Sequence, residues 1–175
     1  MIGFKKKKSE SIGDDKNMAE NSGNIDPELR DLIIDAQNRS DAIKKRIADG
    51  KEKLIKEVKG IILKDGIDPT HRKLKGFSLW NKDTQKWDVK GNFKDSYELM
   101  VELCKMLHII HPDKDFLEIG GNYFSRGKIP QGKEIPDTDI YVTTRLNNKD
   151  KVKFCKSLIN DFGYRESDFI ICLSH

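Results

Sequence analysis

FLEIGGNYFSRGKIPQGKEIPDTDIYVTT, residues 116–144, is the stretch on which the reading of the fold turns. Its opening, Phe116-Leu117-Glu118-Ile119, is apolar with one charge and predicts a strand. Gly120-Gly121 ends it, a pair of the kind found where a chain turns sharply or passes close to a ligand. The loop over 122–136 carries Arg126, Lys128 and Lys133 with Gly127 and Gly132. Glycine-rich backbone beside cations cradles phosphates, and it also makes an ordinary long hairpin loop. Asp137-Thr138-Asp139 then leads into Ile140-Tyr141-Val142, a second predicted strand. On a strand, side chains at i and i+2 share a face. Two carboxylates so placed can hold Mg²⁺, which takes hard oxygen ligands and bridges to phosphates. The other reading leaves Asp137 and Asp139 solvated at the mouth of a plain hairpin.

The order Ile119-Gly120-Gly121, spacer, Asp137-Thr138-Asp139-Ile140 resembles the nucleotidyltransferase superfamily, in particular its small antibiotic-modifying branch. The resemblance covers about thirty residues. It implies an enzyme that uses Mg²⁺ and a nucleoside triphosphate. Asp137 and Asp139 would hold the metal, Gly120 and Gly121 would approach the phosphates, and Arg126 or Lys128 would offset their charge.

Outward toward the C-terminus, Asn147-Asn148 caps a helix in which Val152, Cys155, Leu158, Ile159 and Phe162 recur at helical spacing and Gly163 is the stop. Phe169-Ile170-Ile171-Cys172-Leu173 is apolar throughout and predicts a central strand covered on both faces. Asp168, just before it, is the nearest candidate for a third carboxylate. Toward the N-terminus, a helix is predicted over 92–111, capped by Asp95 or Ser96 and stopped by Pro112. His108 and His111 at its end suit either a capping role or, three residues apart, a shared metal. Before it, Gly76–Trp80 and Gln85–Val89 read as a hairpin around Asn81–Thr84. Trp80 and Trp87 there suit a cross-strand pair or, with Arg72, Lys73 and Lys75 upstream, a platform for single-stranded nucleic acid.

Asp26-Pro27-Glu28 starts a long helix. Leu29, Leu32, Ile33, Ala36, Ile43, Ile47, Leu54, Val58, Ile61 and Ile62 fall near helical spacing, with charges of both signs between them. Unbroken to Lys64, it would run roughly 57 Å. Gly50 is the position expected to break or bend it. The narrow stripe suits a coiled coil or a partner helix, with Leu29, Leu32, Ile43, Ile47, Leu54 and Val58 as docking residues; two ordinary helices folded onto the domain is the alternative.

The chain has 175 residues, of which 35% are charged and 36% hydrophobic, and a formal net charge of +4. That is polar and mildly basic, short of a dedicated nucleic-acid binder. Lys5, Lys6, Lys7 and Lys8 open a polar arm that contacts phosphates or only keeps itself solvated. The three cysteines lie in apolar patterns at spacings that fit no zinc motif or disulfide framework, which points to a reducing compartment. No apolar run approaches the roughly 18 residues of a membrane span, and no apolar segment follows the basic stretch as in a signal peptide. A cytoplasmic or intracellular protein without a membrane is expected.

The organisation expected is an arm over 1–25, an amphipathic helix over 26–66 and an α+β domain over 67–175. The order β(β)αββαβ from residue 76 fits a ferredoxin-like sandwich or the opening of a nucleotidyltransferase-like one. The leading functional expectation is a non-catalytic binding or assembly protein. It would dock through its N-terminal helix on a protein partner or a second copy, with cationic surfaces meeting nucleic acid or another acidic partner, a virus or phage particle being one such setting.

Overall fold

The computed structural model of the protein describes residues 26–175. Lys5 to Lys8 lie outside the described residues. The chain divides between Asp41 and Ala42 into two units.

Helix α1 runs Pro27–Val58 without interruption. Asp26 caps it: its Oδ1 accepts from the Glu28 N–H at 3.1 Å. The second unit takes in the C-terminal part of α1. It then holds β1 (Ile61–Ile62), β2 (Leu74–Asn81), β3 (Lys86–Gly91), α2 (Glu98–Ile110), α3 (Phe116–Ile119), β4 (Phe124–Arg126), β5 (Gly132–Glu134), β6 (Ile140–Thr143), α4 (Asn148–Asp161) and β7 (Phe169–Leu173). The architecture is α+β, with a long N-terminal helix. The strands form two antiparallel sheets, β1-β7-β2-β3 and β4-β6-β5.

All five residues of β7 are buried, because β7 sits between β1 and β2 and both its faces are covered. Alternation along the strand sends Phe169, Ile171 and Leu173 into the main core with Val152, Ile159 and Phe162. Ile170 and Cys172 go to the opposite face, where they pack with Leu54, Val58, Ile62 and Trp87. The second half of α1 therefore packs on the larger sheet within the 42–175 unit. Cys104, Cys155 and Cys172 are free and buried.

Gly50 does not break α1. It is buried against β3, and a Cβ there would overlap the six-membered ring of Trp87. Trp87 is fixed in turn, its indole N–H donating to the Arg46 carbonyl at 2.9 Å. Trp80 and Trp87 face each other across the hairpin with ring centroids 5.4 Å apart.

Three local readings are corrected. Phe116–Ile119 is a helical turn rather than a strand, because the Asp115 side chain caps it by accepting from the Leu117 N–H at 2.8 Å. The loop over 122–136 contains β4 and β5, paired on either side of β6. Neither Asp95 nor Ser96 caps α2: Glu98 Oε1 accepts from the N–H groups of Lys94 and Asp95, and the Ser96 hydroxyl accepts from Leu74 N–H of β2. At the other end of α2, His111 Nε2 lies 3.0 Å from the Tyr164 hydroxyl.

Two outcomes follow from this packing. Gly50→Ala gains about 1 kcal/mol of helix propensity but forces overlap with a pinned indole, typically a loss of about 1–3 kcal/mol. A net loss of up to about 2 kcal/mol is expected in urea unfolding, and a more stable variant would contradict the close approach. Burial, then Lys114, holds the His111 imidazole below its ordinary value of 6.5. The folded state thus binds fewer protons, so stability is lost as pH falls from that value through the folded pKa. The urea midpoint should drop between about pH 7.5 and about pH 5.5, and drop less in His111→Gln; equal drops would exonerate His111.

Candidate functional site

The residues singled out for docking lie on one face of α1, at about 100° per residue. Their surroundings differ along the helix. Leu54 and Val58 are fully or nearly buried in the cluster around Trp87. Ile43 and Ile47 are half-buried. Leu29, Leu32 and Ile33 are exposed by 51%, 66% and 48%; Ile34, exposed by 50%, lies about 100° farther round the helix, off that face. Fully burying each such side chain contributes about 1.5–3 kcal/mol. A contiguous apolar group left in water on a helix is the usual mark of an interaction surface. Asp35 and Arg39 form an exposed pair at 2.6 Å that supports the helix locally.

The glycine turn and the two aspartates lie in the smaller sheet's neighbourhood. Gly120 is required by packing, since a Cβ there would run into the Phe124 ring. Gly121 has φ +53° with open space around it. Asp137 has φ +68° and sits in a turn in which Thr138 N–H donates to the Ile135 carbonyl at 3.2 Å. β6 begins only at Ile140, so the strand alternation expected to align Asp137 with Asp139 does not apply. Asp139 accepts from Arg126 Nη1 at 3.1 Å, and Arg126 reaches Asp115 at 4.0 Å. Both aspartates and Lys128 are exposed. Asp168, the third carboxylate considered, is buried and paired with Arg46 of α1. Among the described residues no three His, Cys, Asp or Glu side chains are grouped to hold a metal.

The cation–aromatic group is partly committed to structure. Arg72 donates to the Ser174 carbonyl at 3.2 Å, while Lys73 is exposed and Lys75 half-buried. Trp87 is buried, and one face of the half-buried Trp80 is covered by the Arg46 guanidinium, 4.8 Å from the ring centroid. His108 packs near Phe116 and His111 near Phe162 and Tyr164, so the two rings have different neighbours.

Sequence reasoning passed over Arg46, which meets Asp168 across 122 positions and leaves no local trace. It also passed over Lys149, Lys153 and Lys156 of α4, which a spacing of four and three on one helical face does signal. Among the described residues, no helix is long and apolar enough to cross a membrane. Comparison with family models, with curated proteins and with solved structures finds no match for this chain.

The Arg126–Asp139 pair makes the metal hypothesis testable. A site that holds Mg²⁺ or Mn²⁺ with a nucleoside triphosphate raises Tm by mass action, and Asp137→Asn with Asp139→Asn removes the response. With Asp139 already facing Arg126, no response is expected, and a change in stability within about 0.5 kcal/mol for the double variant. A metal- and nucleotide-dependent rise in Tm that the variant abolishes would overturn this.

Proposed function

We propose that this chain is a non-catalytic binding or assembly protein that docks through the first half of α1. The observation that carries this reading is the exposed apolar group Leu29, Leu32 and Ile33 on a helix whose same face, farther along, is core. Anchors at i, i+3 and i+4 are what a helix presents to a hydrophobic groove. Cationic side chains such as Lys73 and Lys75, and Lys5 to Lys8 in the arm, would then meet an acidic partner, nucleic acid included. A virus or phage particle is a setting that uses both. The alternative, a nucleotidyltransferase-like enzyme, would need the Arg126–Asp139 pair to open, and the metal response above decides it.

The docking face is tested in the full chain with Leu32→Asp plus Ile33→Asp. Both side chains are solvent-exposed, so unfolding free energy should change by no more than about 0.5 kcal/mol. A photo-reactive residue at position 36, on the same face, should form a discrete covalent adduct in cells of the native source. The double substitution should abolish that adduct. An adduct that persists undiminished would overturn the docking role.

A further inference from the structure

We propose that a lysine-lined cleft in the 42–175 unit receives residues 26–41 of α1 from a second copy of this chain. The inference rests on the docking reading above and names both the partner and the receiving surface.

The cleft has a volume of about 580 Å³, within the range of ligand pockets. Its floor is apolar, built from Ile47, Ile62, Val152 and Phe169. Lys51 of α1, Lys64 after β1, and Lys149, Lys153 and Lys156 of α4 stand around it. Two carboxylates join them, Asp65 and Glu166, and Glu166 is already paired with Lys156 at 3.4 Å. Lys51, Lys64 and Lys153 have no ion-pair partner among the described residues. Five lysines against two carboxylates leave the cleft a surplus of three positive charges over an apolar floor.

An occupant must answer both features. A free phosphate or a nucleic-acid backbone would satisfy the lysines but leave the apolar floor in water. An uncharged apolar helix would cover the floor but not the lysines. Residues 26–41 answer both. Asp26, Glu28, Asp31, Asp35 and Asp41 stand against Arg30 and Arg39, a surplus of three negative charges. The same segment exposes Leu29, Leu32 and Ile33 at the spacing of groove anchors. Charge of one sign on the segment and of the other in the cleft favours encounter and fixes orientation. Because segment and cleft are different surfaces, the association is head-to-tail, and it extends into chains or closes into a ring.

Analytical ultracentrifugation of three full-length proteins tests this: the wild type, a face variant (Leu32→Asp with Ile33→Asp) and a cleft variant (Lys51→Glu with Lys153→Glu). Far-UV circular dichroism and melting first establish that both variants fold. The wild type should gain mass with concentration and lose it with added salt. Each variant alone should associate at least about tenfold more weakly. An equimolar mixture of the two should form a dimer that grows no further, since one supplies the intact cleft and the other the intact segment. A wild type that stays monomeric at every concentration, or a mixture that forms no dimer, overturns the inference. A cleft variant that associates like the wild type while the face variant does not also overturns it, yet leaves the docking helix standing. If neither variant differs from an associating wild type, the inference and the docking of copies through the helix fall together.

Discussion

The structure depends on the close seating of α1 on the outer face of its larger sheet. The contact is steric at Gly50, where the absent Cβ makes room for the Trp87 ring. Polar bonds then lock it on both sides of that ring. Trp87 donates to the Arg46 carbonyl at 2.9 Å, and Lys53 Nζ donates to the Trp87 carbonyl at 2.6 Å. Arg46 also pairs with the buried Asp168, at the start of β7. That partner matters because an unpaired buried carboxylate is costly, whereas the pair itself is no large source of stability. Helix, edge strand and central strand are thereby fixed to one another. The second core, Leu54 and Val58 on Ile170 and Cys172, exists only because this seating holds.

That seating also explains why one apolar stripe has two fates. In the C-terminal half of α1 the stripe has a sheet to cover and becomes core. In residues 26–41 the same period continues, with Leu29, Leu32 and Ile33 exposed. Helix propensity alone does not select leucine and isoleucine for exposed positions, since alanine, glutamate and lysine serve as well or better. Their placement on the continuing face is what the proposed docking role rests on.

What was legible in the sequence follows the range of the interactions concerned. β7 was legible because five consecutive apolar residues need cover on both faces whatever the cover is. α4 was legible because its cap is local: Asn147 accepts from the Asp150 N–H three residues on, at 2.8 Å. Phe116–Ile119 misled because four residues are too few to carry a helical period, and the deciding group, the Asp115 cap, precedes them. Gly50 misled because propensity speaks only of the helix, and the reason for the glycine is a tryptophan 37 positions later. The division of strands into two sheets was equally hidden, since the order of strands and helices is the same for one sheet or two. Of the candidate site, the helical face was readable as a period. The surroundings that make its first half exposed and its second half core were not.

Charge supplies the last step. A formal net charge of +4 suggests a chain with little electrostatic character. The distribution says otherwise: acids gather on residues 26–41 and lysines gather around the cleft beside α4. Net charge governs solubility, whereas recognition responds to local potential. Segregation of this kind carries a cost, because like charges held near one another repel, and that cost is offset when an opposite surface arrives. Acids on an apolar helix and lysines over an apolar floor are the two complementary halves that the proposed association needs. Because the two halves are different surfaces, the proposed association would join copies in one direction, into chains or a closed ring.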